Sequence, residues 1–255
     1  MNPPPLSPLV VIPARLAATR LPGKPLAEIA GRPMIAHVID RAREAAIGPV
    51  AVAAGEPAIV EAARAAGARA VLVAEDLPSG TDRVERALAA LDPDRRHDVV
   101  VNFQGDLPTM PPESLRAILA PLADPAVDIA TLVAPIEDED EALRTAAVKA
   151  VCCFEGDEAT ARCLYFSRAA VPWSDGPEPW RGLWHHIGVY GFRRAALERY
   201  VRLPPAALER RERLEQLRAL AAGMVIGAAR IPAAPFGVDT PADLDRARGI
   251  LGTRP

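Results

Sequence analysis

The chain has 255 residues and half of them are apolar, so it is long enough to bury a sizeable hydrophobic core. Its formal net charge is −3, from 30 basic and 33 acidic residues, which excludes the global positive field that draws proteins to nucleic acid or anionic membranes. Aromatic residues make up 4% of the chain, too few for a platform that stacks nucleic-acid bases. Any anion site must therefore be local.

The cysteines and the first residues bear on the compartment. There are three cysteines, Cys152, Cys153 and Cys163, and the first two are adjacent. An odd number with this spacing fits neither a disulfide framework nor a C-x-x-C metal site. Residues 1–10 are interrupted by prolines and lack the basic start of a signal peptide. No uncharged apolar run reaches the roughly 18 residues that span a bilayer. These features predict a cytoplasmic protein with no membrane partner.

The first predicted strand is the apolar run Val10–Ile12, and we expect Pro13 to stop it because proline lacks a backbone donor. The loop that follows carries Arg15, Arg20 and Lys24, with a glycine directly before the lysine. Backbone N–H groups and cationic side chains in such a loop can gather around one anion, and polyphosphate suits that charge. An ordinary solvated basic loop is the alternative.

Strands and helices alternate after this loop. Helices are predicted at residues 34–46 and 57–66, and strands at residues 50–54, 70–74 and 99–103. This order indicates right-handed βαβ units, and therefore an α/β fold with a parallel sheet. We find no internal repeat and no linker long enough to separate independent domains.

A polar segment opens the next predicted helix, which ends near Leu91. Ser79 and Gly80 lie at its start, and Arg83 lies in its first turn. Ser79 is expected to cap the free backbone donors of the helix. A helix N-terminus with a nearby glycine also presents N–H groups to a ligand, so capping does not exclude a binding role.

Two carboxylates are candidate metal ligands. Asp106 follows the strand at residues 99–103, and open α/β sheets bind ligands at the carboxyl ends of their strands. Asp239 precedes a helix predicted at residues 241–251. Bare carboxylates repel a triphosphate, whereas Mg²⁺ typically takes one or two carboxylates together with phosphate oxygens. The alternatives are a turn-forming role for Asp106 and helix capping for Asp239.

The second half of the chain is predicted to contain more strands. They are expected at residues 128–136, 147–154, 161–166, 184–192 and 224–231, with a hairpin between the second and third. A helix is predicted at residues 206–222, and the acidic segment 137–141 is expected to be a solvated face or a helix start. His185 and His186 are neighbours on a strand and point to opposite faces, which disfavours a shared zinc ion.

Seven motifs, taken in chain order, resemble those of the sugar-acid cytidylyltransferases. They are the basic loop of residues 13–26, Ser79–Arg83, Asn102–Asp106, Tyr165–Arg168, His186–Gly191, Leu214–Arg218 and Gly237–Pro241. The resemblance spans nearly the whole chain. It implies a Rossmann-like nucleotidyltransferase fold, with a mostly parallel central sheet flanked by helices and a smaller β-containing lobe.

The resemblance also implies how one domain of residues 1–255 is divided. The nucleotide-binding part is expected at about residues 8–136, and a lobe for sugar binding and dimerisation at about 147–222. A C-terminal return with a metal ligand is expected at 223–255. The implied assembly is a homodimer.

The activity that the resemblance implies is transfer of CMP from CTP to an acid sugar, with release of pyrophosphate, for lipopolysaccharide biosynthesis. Magnesium is the implied cofactor. The motifs are most similar to those of members that act on 3-deoxy-manno-octulosonate (Kdo). An 8-amino analogue of Kdo and a sialic-acid-like sugar are the alternatives among substrates, and a non-catalytic nucleotide sensor on the same fold is the alternative among functions.

The same resemblance implies roles for individual residues. The implied catalytic residues are Arg15, Lys24, Asp106 and Asp239, with Asp106 and Asp239 as the metal ligands. The implied contacts with CTP are Arg15, Arg20, Lys24, Ser79, Gly80, Arg83, Gln104 and Asp106. The implied contacts with the sugar are Gln104, Arg168, His186, Tyr190, Glu215 and Gln216.

The chain departs from the pattern of the family at three places. Leu107 stands where relatives commonly carry glutamate, and His185 where arginine is frequent. The end of the second strand reads Val52-Ala53-Ala54-Gly55-Glu56, where many relatives have Ala-Thr-Asp. The residues with implied roles in nucleotidyl transfer match, so these departures bear more on the identity of the sugar than on the reaction.

Overall fold

A computed structural model describes residues 6–17 and 20–252. Two residues of the basic loop, Ala18 and Thr19, lie outside the described residues. The chain forms two compact units. We call residues 6–116 with 235–252 the terminal unit and residues 117–234 the middle unit. The division expected from the family, at residues 8–136, 147–222 and 223–255, stays a prediction.

The terminal unit contains a parallel sheet of four strands in the order β5-β4-β1-β6. Its strands are β1 (Pro8–Ala14), β4 (Val50–Ala54), β5 (Arg69–Leu72) and β6 (Val99–Asn102), and β2 (Glu28–Ile29) and β3 (Arg32–Pro33) form a separate hairpin. The central strand β1 is buried along its whole length. The βαβ alternation read from the sequence is confirmed in this unit.

Five α-helices belong to the terminal unit. They are α1 (Met34–Ala45), α2 (Pro57–Ala65), α3 (Gly80–Leu91), α4 (Pro112–Arg116) and α9 (Pro241–Gly252). The apolar stripe predicted for α1 is buried, as its spacing indicates. Helix α9 packs Leu244, Ala247 and Leu251 into a cluster with Ile29 and Met34. This cluster brings the C-terminal segment onto the residues that follow the basic loop.

The expectation that Pro13 stops the first strand is wrong, because β1 continues to Ala14. The N–H of Val10 donates to the carbonyl of Pro49, on the side of β1 that faces β4. Successive residues of a strand face opposite sides, so the backbone of Pro13, three residues further on, faces β6. Pairing with β6 ends at Val11. The missing donor of Pro13 therefore falls where no ladder bond is made.

The middle unit contains five strands that close into a ring. They are β7 (Ile129–Pro135), β8 (Lys149–Cys152), β9 (Thr160–Ser167), β10 (Trp184–Arg193) and β11 (Ile226–Arg230). The pairs around the ring are β10–β7, β7–β11, β11–β9, β9–β8 and β8–β10, and only β7–β11 is parallel. The α/β class is confirmed, but this unit does not have the mostly parallel sheet expected. The antiparallel β8–β9 pair confirms the hairpin predicted there, and its connection is too short for the crossover that parallel strands need.

The middle unit has four short α-helices. They are α5 (Glu139–Leu143), α6 (Arg194–Tyr200), α7 (Ala207–Glu212) and α8 (Gln216–Ala221). Asp138 caps α5, so the acidic segment is a helix start. The single helix predicted at residues 206–222 is wrong, because Arg213 adopts a left-handed conformation with φ of 55° and ends α7. Arg218 and Glu209 form an ion pair that joins the two helices.

None of the helices in the described ranges combines the length and the apolar character needed to cross a lipid bilayer.

Candidate active site

The basic loop after β1 is held in place by Glu56. The carboxylate of Glu56 accepts a hydrogen bond of 3.0 Å from the backbone N–H of Leu16. Further along, Gly23 has φ of 71° and donates its N–H to the carbonyl of Leu16, at 3.1 Å. Glycine reaches this left-handed conformation without steric cost. The loop therefore turns back and presents Lys24, the first residue of a 3-10 helix.

The ammonium of Lys24 lies between the two predicted metal ligands. Its Nζ is 2.9 Å from Oδ2 of Asp106 and 3.0 Å from Oδ1 of Asp239. Burial acts to lower the pKa of Lys24, but the two carboxylates outweigh that effect and the pKa is raised above its ordinary value. Lys24 therefore stays protonated throughout the neutral range.

Backbone contacts bring the segment of Asp239 to Asp106. Asp106 lies in the turn after β6, and its carbonyl accepts a hydrogen bond of 2.9 Å from the N–H of Val238. The hydroxyl of Thr109 donates to the carbonyl of Phe236, at 3.0 Å. Val238 itself is fully buried in the cluster with α9. The two acids meet because neighbouring backbone atoms are fastened together.

Asp239 is not used as the cap of α9. The hydroxyl of Thr240 accepts from the N–H of Asp243 at 3.2 Å, and the carboxylate of Asp243 accepts from the N–H groups of Asp239 and Thr240. This reciprocal pattern is a capping box. Since Thr240 and Asp243 cap the helix, the carboxylate of Asp239 is left to face Lys24 and Arg20, whose Nη2 lies 3.1 Å away.

One pocket of about 330 Å³ in the terminal unit gathers every residue predicted to contact CTP. These residues are Arg15, Arg20, Lys24, Ser79, Gly80, Arg83, Gln104 and Asp106, and Asp239 lines the same pocket. Its volume is at the lower end of the range for small-molecule sites. Within the part of the chain that the structure describes, the side chain of Arg15 has no hydrogen-bond or ion-pair partner. The pocket thus combines four cations with two acids.

Ser79 and Arg83 have structural partners as well as a place in the pocket. The hydroxyl oxygen of Ser79 accepts from the N–H groups of Thr81 and Asp82, both at 3.2 Å, so its predicted cap is confirmed. Arg83 is buried and donates to the carbonyls of Val73 and Glu75. The guanidinium of Arg83 therefore joins α3 to the segment after β5. Their contacts with CTP remain predictions.

A chain of side-chain hydrogen bonds, which the sequence did not reveal, positions Gln104. The amide nitrogen of Gln104 donates to the side-chain oxygen of Asn102 at 3.1 Å, and Asn102 donates to the hydroxyl of Thr81 at 3.2 Å. Asn102 is fully buried at the end of β6. With its nitrogen engaged, Gln104 has its carbonyl oxygen available to accept from a ligand. A polar residue at the end of an apolar strand is the sequence signal by which Asn102 could have been found.

The acids fit a magnesium ion. The described residues contain no group of three or more His, Cys, Asp or Glu side chains arranged around one point. Magnesium does not require such a cage, since it is usually bound by one or two carboxylates with phosphate oxygens and water. Here two carboxylate oxygens already converge on a single cationic atom, the Nζ of Lys24. Hard oxygen ligands around a cation are the donor set that magnesium prefers.

In the middle unit, three residues predicted to contact the sugar lie together. The hydroxyl of Thr131 donates to the carbonyl of Val189 at 2.9 Å, so it accepts from Nε2 of His186 at 3.0 Å. Nδ1 of His186 then accepts from the amide of Gln216, at 3.5 Å. Tyr190 lies beside His186, with 5.6 Å between ring centroids. Burial, with a contribution from His185, lowers the pKa of His186 to about 3, so its imidazole is neutral.

His185 and His186 have separate surroundings, as their alternation on β10 indicates. Nδ1 of His185 lies 2.6 Å from a carboxylate oxygen of Glu141, in the acidic helix α5. Burial lowers the pKa of His185, although Glu141 acts in the opposite direction. His185, which stands where relatives often carry arginine, therefore pairs with Glu141 of the acidic segment, to which the sequence analysis assigned no chemistry.

Arg168 and Glu215 are placed differently from the other predicted sugar contacts. The guanidinium of Arg168 donates to three backbone carbonyls, those of Thr145, Glu212 and Arg213, at 2.8–3.4 Å. It therefore fastens the left-handed residue Arg213. Glu215 is exposed at the start of α8, and its carbonyl accepts from the hydroxyl of Tyr200 at 3.0 Å. Contact of Arg168 and Glu215 with a sugar stays a prediction.

Comparison with known proteins gives a consistent result. A family model described as cytidylyltransferase matches residues 9–226. A 3-deoxy-manno-octulosonate cytidylyltransferase of Rhodospirillum centenum is 59% identical over 250 residues, which cover 98% of this chain and 95% of the relative. One of Methylobacterium radiotolerans is 58% identical and covers 97% of this chain and 98% of the relative.

Solved structures agree. A CMP:2-keto-3-deoxy-manno-octonic acid synthetase complexed with CTP has a TM-score of 0.87 and 37% identity, over 96% of this chain and 98% of that chain. A cytidylyltransferase of Leptospira borgpetersenii, 14% identical, shares the fold with a TM-score of 0.62, over 98% of this chain and 88% of that chain. The nucleotidyltransferase-like fold is therefore confirmed.

The buried His186 predicts a pH-dependent stability. Its pKa is about 3 when folded against an ordinary 6.5, so below pH 6.5 the unfolded chain binds a proton that the folded chain does not. The free energy of unfolding should fall as the pH drops from about 6.5 towards 3, by up to about 1.4 kcal/mol for each pH unit. In His186→Gln this part of the slope should be missing. Urea unfolding at several pH values measures it.

The matched control is His97→Gln, at a loop position where the ring contacts the hydroxyl of Ser7. A loss of slope confined to His186→Gln assigns the difference in proton binding to the buried ring. Equal slopes in His186→Gln and the parent would show that His186 does not titrate differently in the folded protein.

Proposed function

The chain belongs to the cytidylyltransferase family, and from that membership we propose that it transfers CMP from CTP to the anomeric hydroxyl of Kdo, releasing pyrophosphate. The observation that carries the proposal is the single pocket that holds all the residues expected to contact CTP, together with Asp239. Kdo is the sugar in the names of relatives that are 56–59% identical over nearly their full length. The product, CMP-Kdo, is the activated sugar for lipopolysaccharide biosynthesis.

The terminal unit supplies charge for the reaction. Attack of the sugar hydroxyl on the α-phosphorus, with departure of pyrophosphate, asks mainly for alignment and neutralisation of charge. Arg15, Arg20 and Lys24 line the pocket and suit the negative charge that develops on pyrophosphate. The raised pKa of Lys24 keeps its ammonium charged at neutral pH. No nucleophilic side chain is needed for this transfer.

Magnesium is the proposed cofactor, and Asp106 and Asp239 would hold it. When bound, it neutralises phosphate oxygens and favours ionisation of the attacking hydroxyl. The support is the convergence of two carboxylate oxygens on one cationic atom, Nζ of Lys24. The segment of chain that carries Asp239 is fixed by backbone contacts. The two acids therefore stay together when a magnesium ion replaces the ammonium of Lys24.

The middle unit is proposed to recognise the sugar. The neutral His186 donates from Nε2 to Thr131, so Nδ1, which has only a long contact of 3.5 Å with the amide of Gln216, is the ring atom that would accept from a sugar hydroxyl. Gln216 and Tyr190 add an amide and a phenol beside it. Glu215, which directly precedes α8, is exposed and adds a carboxylate. Donors and acceptors of this kind suit the hydroxyls of a polyol. Arg168 is retained as a candidate partner of the sugar carboxylate.

We also propose that the chain works in the cytoplasm, where CTP is available. Detection of the activity only outside the cytoplasmic fraction would contradict this placement.

A homodimer is proposed for the assembly. The middle unit carries exposed large apolar side chains at Leu143, Leu164, Trp173 and Leu208, and Trp173 is 82% exposed. Exposed apolar side chains are a feature of association sites where they form one contiguous patch. Sedimentation of the full chain should give twice its mass of 27.1 kDa at micromolar concentration. A species of 27.1 kDa over the whole concentration range would contradict a dimer.

The proposed activity predicts pyrophosphate release that needs three components. CTP, Kdo and Mg²⁺ together should give turnover, and omission of the metal in the presence of EDTA should abolish it. The value of kcat/KM for Kdo should exceed those for an 8-amino Kdo analogue and a sialic acid by on the order of tenfold or more.

Higher kcat/KM with one of the other sugars would reassign the substrate within the same reaction. Absence of turnover with every acid sugar, while CTP binding is retained, would favour the non-catalytic sensor.

A further inference from the structure

Lys24 stands where the proposed metal would have to bind. Its Nζ makes hydrogen bonds to Asp106 and Asp239 at once, and its side chain is only 16% exposed. An ammonium and a divalent ion cannot share these oxygens without two like charges coming into contact. One cation must therefore leave before the other can bind both acids.

We propose that Lys24 is an internal counter-ion, which neutralises Asp106 and Asp239 in the free protein and gives them up to the metal when the nucleotide arrives. This inference rests on the proposed function. In the free protein, the ammonium neutralises two carboxylates that would otherwise repel each other. In the loaded protein, the triphosphate offers the ammonium a new partner. Metal and nucleotide should therefore bind cooperatively.

The exchange needs only side-chain movement. The backbone around Lys24 is fixed by hydrogen bonds from Lys24 N–H to Leu21 at 3.1 Å and from Ala27 N–H to the carbonyl of Lys24 at 3.1 Å. The four-carbon stem of lysine is flexible and its ammonium carries three donors, so it can change partner while the helix stays in place. Arg15 lines the same pocket, so a phosphate there would find a second cation.

The two acids do not depend on Lys24 for their positions. The carbonyl of Asp106 is bonded to Val238, and the box of Thr240 and Asp243 fixes the start of α9. Removal of the ammonium should therefore leave two carboxylates side by side with no cation between them. Such a pair should bind a divalent ion more tightly than the parent does, even without nucleotide.

Arg20 provides a matched control. Its guanidinium contacts Asp239 at 3.1 Å, but the described structure shows no contact with Asp106, and its side chain is 65% exposed. Arg20→Met removes one positive charge near Asp239 without vacating the point between the two acids. Arg248→Met, on α9, removes an exposed ion pair with Asp245 and a hydrogen bond to the carbonyl of Glu28, and it serves as a control for loss of a positive charge that contacts neither acid in the described structure.

The experiment measures binding of Mn²⁺ to the full chain, by electron paramagnetic resonance of the free ion, with no sugar present. Lys24→Met should bind Mn²⁺ without nucleotide on the order of tenfold more tightly than the parent, a size typical of coupling between sites. Arg20→Met should gain less, and Arg248→Met should match the parent. Equal or weaker Mn²⁺ binding by Lys24→Met would overturn the proposal.

Two further measurements test the exchange independently of whether Lys24→Met folds. In the parent, CTP should raise the affinity for Mn²⁺ by on the order of tenfold, and in Lys24→Met that gain should be smaller. The parent measurement needs no variant, and Mn²⁺ binding that is independent of CTP would also overturn the exchange. Lys24→Gln, with circular dichroism of both variants, replaces Lys24→Met if that protein does not fold.

The outcome is separable from that of the proposed function. Turnover of CTP and Kdo by the parent, combined with unchanged Mn²⁺ binding in Lys24→Met, would reject the exchange and keep the enzyme. Tighter Mn²⁺ binding in Lys24→Met, combined with no turnover in the parent, would keep the exchange and reject the activity.

Discussion

A single ammonium group contacts two carboxylates that lie 82 and 215 residues further along the chain, and the candidate site depends on this contact. Lys24 comes from the first loop, Asp106 from the turn after β6, and Asp239 from the segment before α9. Packing of α9 in the terminal unit returns Asp239 to the start of the chain. The bond between Val238 and Asp106 then fixes its approach. The capping box formed by Thr240 and Asp243 leaves the carboxylate of Asp239 free for this contact.

The negative charges of Asp106 and Asp239 explain why a cation between them is favourable both before and after a metal binds. Two neighbouring carboxylates without a counter-ion repel each other, and partial burial strengthens that repulsion because less water screens it. A positive charge held between two such carboxylates until a metal binds removes that repulsion. Lys24 meets this need, since its own desolvation is outweighed by the two acids. The same side chain can then serve the triphosphate, so one residue links preparation of the site with use of the nucleotide.

The sequence predicted the terminal unit well, because hydrophobic period and chain order determine βαβ units with little ambiguity. It predicted the ring of the middle unit poorly. Pairing of β10 with both β7 and β8 joins strands that are far apart along the chain, and alternation within a strand does not specify such partners. The break at Arg213 was also missed, since the apolar stripe continues across a residue that has φ of 55°. Local periodicity carries no information about that turn.

The candidate site shows a similar division. Motifs identified its residues, and the pocket brings together all those expected to contact CTP. Their partners were not predicted, since Lys24 was expected to face phosphate and contacts the two acids. Asn102 and Glu56 were not recognised as supports of the site, since a buried amide and a carboxylate on a backbone N–H act only through three-dimensional contacts.

A double-mutant cycle on the two acids tests most directly whether they share one ion. The value of kcat for CTP and Kdo would be compared in the parent, Asp106→Asn, Asp239→Asn and the double variant, at saturating Mg²⁺. Residues that act as a unit are strongly non-additive. Each single change should lower kcat by on the order of 10² or more, and the double change should lower it little further. If the two losses instead multiply, the acids act independently and do not hold a common ion.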